Sequence, residues 1–443
     1  MNLRRWLTPG IGVKRWLVVV FVGLLLMALA VAHTIRQLTR DFALGGPAQV
    51  LIDAITLQFL PYPVRGLIVG AVGLAIVVGG AIRVVRAFTD PLRGDGENAP
   101  LVEVIYQKRF LARGPRVVAI GGGTGLSTLL RGLKEQTSNL TAVVTVADDG
   151  GSSGVLRREL GIPPVGDIRN CIAALADTEP LMSELLQYRF PGLEAGRSDE
   201  PPGGLAGHAV GNLLIAALTA IEAGDFEEGV RQMNRVLAVR GQVLPVSATP
   251  LVLHARLADG TSIVGQSRIS RSRDIERVWL TPDDVDASED AIAAVGEADL
   301  IVLGPGSLYT SLLPSLLVPA IRDAVVGAPG LRVYACNVAT QEAETAGYDL
   351  TNHVEALVAH TDPDIVDIVL ANNNLNARSP SGWRAEPVRL PWPPGLERPP
   401  KLVLDDVVDP DNAHHHDPGR LAGALFRILE REGARRRTVA RTA

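Results

Sequence analysis

The sequence has few cysteines and few aromatic residues. Cys171 and Cys336 are its only two cysteines, which is too few for a disulfide framework or a cysteine zinc site and fits a reducing compartment. Aromatic residues make up 4% of the chain, although apolar residues make up 47%. Val, Leu, Ala and Ile therefore supply the apolar content, as is typical of parallel strands and of the helices that cover them. This balance favours an α/β fold.

The sequence also lacks an excess of positive charge. The formal net charge is −5 at pH 7, whereas binding to duplex nucleic acid usually needs a basic face. We therefore expect no nucleic-acid partner. At 443 residues the chain is longer than a usual single domain, and we expect two or three units, one of them large enough for a doubly wound sheet.

Two long uncharged segments lie near the N-terminus. Residues 16–32 and 66–82 each run for 17 residues without a charge, close to the roughly 20 residues that span a hydrocarbon core of about 30 Å. Basic residues precede the first segment and follow the second, so the positive-inside rule places both ends in the cytoplasm. A cleavable signal peptide is the alternative for the first segment, but no small-residue cleavage site stands out and a second apolar segment follows.

These patterns predict three regions. Residues 1–88 are a membrane anchor with two transmembrane helices, residues 89–114 are a polar linker punctuated by Pro and Gly, and residues 115–443 are a ligand-binding α/β domain. The expected location is the cell membrane, as a multi-pass protein whose large domain is cytoplasmic.

A glycine-rich loop follows the first apolar strand of the large domain. Residues 117–120 are apolar and lead into Gly121–Ser127, after which residues 128–134 have helical character. Glycines let a ligand approach the backbone, and a helix start presents unpaired N–H groups to an anion such as phosphate. The loop has no Gly-Lys-Ser/Thr of a P-loop, and Leu126 replaces the last glycine of Gly-x-Gly-x-x-Gly. Taken alone, it could equally be a tight structural turn.

A second loop of this kind follows a strand predicted at residues 141–147. It begins with Asp148 and Asp149 and continues to Ser152 and Ser153. In a doubly wound sheet, such loops lie at the carboxyl ends of neighbouring strands, where ligands bind. The aspartates could bind a ribose or sugar hydroxyl, or hold a Mg²⁺ that bridges phosphates. The alternative is that one of them caps the next helix.

Two further polar turns open apolar helices. In the first, Arg169 could bind a phosphate while Asp167 orients it, or Asp167 could be an ordinary helix N-cap beside an exposed arginine. The second turn, Gly207–Asn212, contains His208 and Asn212 and opens an apolar helix predicted at residues 213–221. A lone histidine is more often structural, but a loop position favours contact with a ligand.

A third glycine loop, Gly304–Ser307, ends a strand predicted at residues 299–303. Asn337 follows another strand, predicted at 331–336, and Asn372–Asn374 follow one at 365–371. Amides at strand ends are suited to contacting the edge of a base or sugar.

Two other patterns predict structure rather than a site. Residues 251–257 and 261–269 alternate around Asp259-Gly260, which predicts a β-hairpin added to the sheet. The run His414–His416 is not expected to bind metal, because consecutive histidines cannot all converge on one ion in regular structure.

The motifs together resemble those of the gluconeogenesis factor family, which is related to 2-phospho-L-lactate transferase. The similarity extends from about Arg116 to Asn374, and the membrane hairpin lies outside it. The five ordered motifs are Gly121–Ser127, Val146–Gly154, Pro164–Asn170, Gly207–Asn212 and Gly304–Thr310.

The resemblance implies a Rossmann-like, mostly parallel doubly wound sheet and binding of UDP-sugars such as UDP-N-acetylglucosamine. It also implies a regulatory role in cell shape and wall synthesis during growth on gluconeogenic carbon sources. The related transferases move a phospholactyl group from a guanosine diphosphate carrier onto a deazaflavin precursor with Mg²⁺. By carry-over, Gly122–Leu126, Ser152 and Ser153 would hold the diphosphate, and Asp149 would lie near the reacting or metal-bound end.

The predicted ligand-binding residues are Gly122, Gly123, Thr124, Gly125, Leu126, Asp148, Asp149, Ser152, Ser153, Asp167, Arg169, Asn170, His208, Asn212, Gly304, Pro305, Gly306, Ser307 and Asn337. No catalytic residue is predicted, and Asp149 is the candidate ligand for Mg²⁺, the only cofactor considered. The leading hypothesis is a non-catalytic sensor that binds a UDP-sugar, forms a homo-oligomer and acts on a cell-wall synthesis or regulatory protein. The alternative is a Mg²⁺-dependent phosphoryl or phospholactyl-type transferase. An NAD-type dehydrogenase is disfavoured by Leu126.

Overall fold

The computed structural model describes residues 110–176, 180–191, 204–377 and 385–442, and the single positions 24, 25, 28, 61 and 64. The chain divides into two compact units, Met1–Tyr106 and Gln107–Ala443. Apart from positions 24, 25 and 28, the predicted transmembrane helices lie outside the described residues, as does most of the predicted linker. Within the described part, no single helix is long and apolar enough to span a membrane. One pair of helices, bent by 78° at the break between them, meets the length and composition requirement only when the two helices are counted together.

A seven-stranded sheet forms the centre of the second unit, and all of its strands are parallel. The central strands are short, aliphatic and buried on both faces, as expected of parallel strands. The predicted α/β fold with a mostly parallel, Rossmann-like sheet is confirmed. In chain order, the strands of this sheet are β1 (Val117–Gly121), β2 (Leu140–Val144), β3 (Gln242–Pro245), β7 (Leu300–Leu303), β8 (Leu331–Ala335), β9 (Ile368–Asn372) and β10 (Lys401–Asp405).

Helices connect these strands and bury one apolar stripe each. The first helix shows why: its leucines at 126, 129, 130 and 133 share one face and are fully buried. The helices are α1 (Gly123–Leu133), α2 (Gly151–Leu160), α3 (Gly166–Leu175), α4 (Pro180–Gln187), α5 (Val210–Ile221), α6 (Phe226–Val236), α7 (Gln266–Ile269), α8 (Glu289–Gly296), α9 (Leu313–Leu316), α10 (Pro319–Gly327), α11 (Leu350–His360) and α12 (Pro418–Thr442), and a π-helix (Leu308–Leu312) precedes α9.

Two helices begin earlier than the sequence pattern predicts. Helix α1 begins at Gly123 rather than at residue 128, and α5 begins at Val210 rather than at 213. Their first turns contain glycines and polar residues, which give no apolar periodicity. The glycine loops therefore include the first turns of the helices, where unpaired N–H groups lie.

The predicted β-hairpin is present, but its second strand is shorter than predicted. Strands β4 (Val252–Leu257) and β5 (Ser262–Val264) pair antiparallel, and β6 (Ile275–Thr281) completes a three-stranded sheet. The second strand ends because Gly265 has a φ of 102°, and α7 follows it. A second hairpin, β11 (Val408–Asp409) with β12 (Asn412–His416), precedes α12.

The order of the strands places a switch point between β1 and β7. From β1 the chain proceeds outward through β2 and β3, and from β7 it proceeds outward through β8, β9 and β10 on the other side. Ligands of open α/β sheets bind in the crevice at the carboxyl ends of the strands that flank such a point. The first and third glycine loops follow β1 and β7, so they meet in that crevice.

Candidate functional site

A cleft of about 350 Å³ opens at this switch point, within the size range of about 300–1,000 Å³ typical of ligand sites. Its floor is the first turn of α1, and its walls come from the loops after β7 and β8 and from β12. The lining residues are Gly122, Gly123, Thr124, Gly125, Thr128, Pro305, Gly306, Ser307, Ser311, Asn337, Val338, Ala339, Thr340, Gln341, Glu342, Ala385, His414, His415 and His416.

The start of α1 is shaped by bare backbone. Gly122 is its N-cap and makes no side-chain cap hydrogen bond, and Gly123 has a φ of 68°, which favours glycine. A Cβ on Gly125 would lie 2.6 Å from the Pro305 carbonyl oxygen, so the first and third loops are in backbone contact. Helical geometry leaves the N–H groups of Thr124 and Gly125 without an intrahelical acceptor. An anion can therefore bind here.

The third loop is held by side chains that follow β8. The Gly306 N–H donates to Asn337 Oδ1 over 3.1 Å, and Asn337 Nδ2 donates to the Gly306 carbonyl over 2.9 Å. Gln341 Nε2 donates to Ser307 Oγ over 2.6 Å. The Asn337 amide thus makes one bond through its oxygen and one through its nitrogen within the protein, so this residue frames the loop, and it also lines the cleft. Gly304 adopts a φ of 75° at the turn but does not line the cleft.

The other predicted residues form a second group on the β2 side of α1, which we call the polar cluster. They do not line the cleft, although Gly122 and Gly123 touch both groups. The cluster contains Asp148, Asp149, Ser152, Ser153, Asp167, Arg169, Asn170, His208 and Asn212. Leu126 belongs to neither group, because its side chain is fully buried in the core.

Asp167 links the two groups. The prediction that it is a helix N-cap is wrong, since Val165 is the N-cap of α3 and Asp167 lies in the first turn. Its carboxyl accepts the Gly123 N–H at the start of α1 instead. Burial, and then the charge of Asp148, raise its pKa from 3.8 to about 7. A carboxyl that is neutral much of the time near neutral pH can lie beside a bound anion with less repulsion.

Arg169 lies in the polar cluster rather than in the cleft. It is only 7% exposed, so the alternative of an exposed arginine is wrong. Its Nη2 donates to Asn170 Oδ1 over 2.8 Å. Burial lowers its pKa below the ordinary value, and the nearby Arg189 lowers it further, while Asp167 raises it.

Three residues of the polar cluster, Ser152, His208 and Asn212, form a hydrogen-bonded trio. Ser152 Oγ is 3.0 Å from His208 Nδ1, and Asn212 Nδ2 donates to the same Oγ over 3.0 Å. All three residues are buried. Since the amide supplies a proton to Oγ, the serine hydroxyl can donate its own proton to the imidazole. This serine–histidine pair was not predicted, because its members are 56 positions apart in the sequence.

The two consecutive aspartates have different partners. Asp148 Oδ1 accepts the Gly150 N–H over 2.9 Å, and burial raises the pKa of this carboxyl. Asp149 Oδ1 accepts the Ser267 N–H over 2.8 Å, and a Cβ on Gly265 would lie 2.2 Å from Asp149 Oδ2. The hairpin that was predicted to be a mere addition therefore supports the second loop.

These carboxylates do not form a metal site by themselves. Among the described residues, no group of three or more His, Cys, Asp or Glu side chains could hold a metal ion. Asp148 and Asp149 each already accept a backbone N–H group, one on each side of their loop. The residues present therefore do not fit a resident Mg²⁺ that the protein alone would hold.

The sequence pattern missed much of the cleft wall. Residues 338–342 follow Asn337 without a glycine or a recognisable motif, and they gave no signal. The histidine run did give one: His414–His416 lie at the end of β12 and line the cleft. His416 Nε2 is 3.2 Å from the Cys336 carbonyl oxygen, and burial lowers the pKa of this imidazole to about 4. His416 is therefore a neutral structural residue at neutral pH.

Comparison with known proteins places this architecture among established relatives. Residues 117–388 match the family model described as 2-phospho-L-lactate transferase CofD. A Nostoc protein described as "Putative gluconeogenesis factor" is 42% identical over 435 residues, which are 96% of this chain and 92% of the relative. The Bacillus subtilis "Gluconeogenesis factor" is 50% identical over 329 residues, which are 71% of this chain and 98% of the relative.

A solved structure agrees with the fold. A crystal structure of a Bacillus halodurans protein is 42% identical in sequence and has a TM-score of 0.62. It covers 71% of this chain and 100% of that protein.

Proposed function

The chain belongs to the gluconeogenesis factor family, with a domain of the 2-phospho-L-lactate transferase type, and from this premise we propose that its cleft binds a UDP-sugar as a regulatory ligand. UDP-N-acetylglucosamine is the first candidate. The observation that supports this proposal is the bare-backbone start of α1, which opens into the cleft at the sheet's switch point between the first and third glycine loops.

The diphosphate is placed at the start of α1. The Thr124 and Gly125 N–H groups and the positive end of the helix dipole favour an anion there. The hydroxyls of Thr124, Thr128 and Ser307 line the same space and can donate to phosphate oxygens. The close packing of Gly125 on Pro305 leaves backbone, not side chain, at the point of contact.

The rest of the ligand extends along the walls of the cleft. Val338 and Ala339 offer an apolar surface, while Gln341 and His415 offer polar groups. An apolar wall with a few polar groups suits a ring such as a sugar or a base.

A transferase is the second candidate, and one observation favours it. The buried Ser152–His208 pair belongs to the polar cluster, which also contains the Asp148 and Asp167 carboxyls. A serine within hydrogen-bond distance of a histidine is a recognised nucleophile and base arrangement. The sensor is preferred because this pair does not line the cleft in which the diphosphate is placed.

The wider role is proposed on the premise of family membership and the N-terminal pattern. Residues 1–88 anchor the protein in the cell membrane through helices at 16–32 and 66–82, and the domain from residue 115 faces the cytoplasm. The ligand-bound protein, as a homo-oligomer, regulates cell shape and wall synthesis during gluconeogenic growth through a protein partner. Mg²⁺ would enter only together with the ligand's phosphates.

Titration calorimetry on the full-length protein in detergent micelles tests the proposal. Binding of UDP-N-acetylglucosamine in preference to GDP and NAD, with the nucleotide recovered intact after incubation with Mg²⁺, supports a sensor. Recovery of a cleaved or transferred product supports the transferase. Absence of binding by all three nucleotides contradicts both candidates.

A further inference from the structure

A buried carboxyl lies directly behind one wall of the cleft. Glu344 is 2% exposed and belongs to the segment between β8 and α11. Thr310 Oγ1 donates to its Oε2 over 2.9 Å, and the Ser307 hydroxyl and the N–H groups of Leu308 and Tyr309 favour its ionised form. The carboxyl therefore occupies the N-terminus of the π-helix, where a negative charge is stabilised.

Ser307 connects this carboxyl to the cleft. Its Oγ accepts a hydrogen bond from Gln341 Nε2, so its own proton can be donated towards Glu344. Ser307 also lines the cleft beside the first turn of α1. One serine hydroxyl thus lies between the proposed diphosphate position and a buried carboxyl.

Two buried oxygens near Ser307 have no donor. Within the described residues, Glu344 Oε1 and Gln341 Oε1 are both buried without a hydrogen-bond partner. Each belongs to a side chain that interacts with Ser307. Unsatisfied buried acceptors are unfavourable. A proton on Glu344 Oε1 would turn one of these two acceptors into a donor.

We propose that Glu344 is a positioning residue of the cleft, which orients the Ser307 hydroxyl and the first turn of the π-helix and takes up a proton when an anionic ligand binds. The inference rests on the proposed function, since it takes a diphosphate as the ligand. It adds a residue, and a dependence on pH, to that site.

The expected size of the effect follows from charge repulsion. A ligand phosphate that contacts Ser307 would lie roughly 6 Å from the carboxyl, where the repulsion between two unit charges favours the protonated carboxyl even at an effective dielectric constant of about 20. Burial already raises the Glu344 pKa from 4.5 to about 7, and the bound ligand raises it further. Affinity should then be about five- to tenfold higher near pH 6 than near pH 8.

The pKa values of Tyr309, His353 and His360 are shifted away from the range between pH 6 and pH 8, whereas Asp167 at the start of α1, with a pKa raised to about 7, titrates within it. Tyr309 and Tyr348 bond through their hydroxyls, and burial raises the Tyr309 pKa far above its ordinary value. Burial lowers the pKa values of His353 and His360, so both are neutral near pH 7. Two further charged residues lie nearby. Glu342 is two positions away in the chain, and Arg273 Nη2 donates to the Glu342 carbonyl oxygen.

Calorimetric titration of the full-length protein in micelles with UDP-N-acetylglucosamine, without divalent cations, tests the inference. The wild type should bind more tightly near pH 6 than near pH 8 and should take up protons, measured in buffers of different ionisation enthalpy. Glu344→Gln should bind with a smaller dependence on pH than the wild type, and the part that remains comes from Asp167 at the start of α1. Thr310→Val keeps the carboxyl but removes a donor to its ionised form, so the midpoint of the pH profile should move upward.

The exposed variant Glu276→Gln is the matched control, because it removes a carboxylate that pairs with Arg256 on the three-stranded sheet and does not line the cleft. It should keep the wild-type pH profile. Binding by Glu344→Gln with the full wild-type pH profile overturns the inference and leaves the proposed function intact. Absence of binding by the wild type at every pH overturns both. If Glu344→Gln fails to fold, two other results still overturn the inference. One is that the wild type binds without taking up protons, and the other is that the midpoint of the Thr310→Val pH profile does not move.

Discussion

A charge placed at the start of α1 gives the sharpest test of where the ligand's diphosphate binds. Thr124 is exposed in the first turn of this helix and lines the cleft. Thr124→Glu adds a carboxylate at that point, and Thr124→Gln adds a neutral side chain of nearly the same size. Comparison of the two variants separates charge from bulk.

The magnitude follows from Coulomb's law. A carboxylate about 5 Å from a phosphate repels it by about 3 kcal/mol at an effective dielectric constant of about 20, which corresponds to roughly a hundredfold or greater loss of affinity. The fold should not suffer, because an acidic residue in the first turn of a helix stabilises it by about 0.3–1 kcal/mol. Binding and stability should therefore change in opposite directions.

Calorimetry with UDP-N-acetylglucosamine and thermal unfolding measure the two quantities on the same samples. Thr124→Gln should bind within about tenfold of the wild type, while Thr124→Glu should show no measurable heat at concentrations that saturate the wild type. Equal affinity of the two variants would mean that the phosphates do not lie at the start of α1.

Three other perturbations test separate parts of the site. Gly125→Ala places a Cβ 2.6 Å from the Pro305 carbonyl oxygen, so urea unfolding should show a loss of about 1–3 kcal/mol. Gly327 has open space around it, so the unfolding free energy of Gly327→Ala should stay within about 1 kcal/mol of the wild type. A similar loss of stability in both variants would contradict the tight contact between Gly125 and Pro305. Burial raises the Asp167 pKa from 3.8 to about 7; because the folded pKa is the higher one, its contribution to stability is present at low pH and lost as pH rises towards 7. The unfolding free energy of the wild type should therefore fall by on the order of 4 kcal/mol between about pH 4 and about pH 8, and Asp167→Asn should remove this decrease. An unchanged pH dependence in Asp167→Asn would refute the raised pKa of Asp167. Ser152→Ala should leave UDP-N-acetylglucosamine binding intact if the protein is a sensor, and should abolish product formation if Ser152 and His208 act in a transferase.

The sheet and its loops were predictable from local patterns. Short aliphatic strands that end in glycines indicate a parallel sheet with loops at its carboxyl edge, and the strands before Gly121 and Gly304 lie side by side as this rule requires. The starts of the helices were predicted late, because the first turns of α1 and α5 contain few apolar residues. The prediction of an exposed Arg169 failed since nothing in its own segment shows that α4 and α5 cover it.

The division of the site into a cleft and a polar cluster was not predictable in the same way. The motifs give the residues at each strand end, but the side that each loop faces depends on the strand order. Asp148 follows β2, and Asp167 lies in the first turn of α3 on the same side of β1. Asn337 follows β8, which lies on the other side of β1. The prediction treated these residues as one set, because chain order does not reveal which side of β1 each strand takes.

The sequence also does not show which of two helix ends at the switch point is open to an anion. Both α1 and the π-helix follow glycine loops, and from sequence both present backbone N–H groups to an anion. In the structure Glu344, 34 positions from Thr310, already occupies the end of the π-helix with its own carboxyl. At α1 the nearest carboxyl, Asp167, accepts only the Gly123 N–H. We therefore expect the charge of the proposed ligand at α1, because the chain's own carboxyls, rather than its glycines, decide which of the two loops is open to an anion.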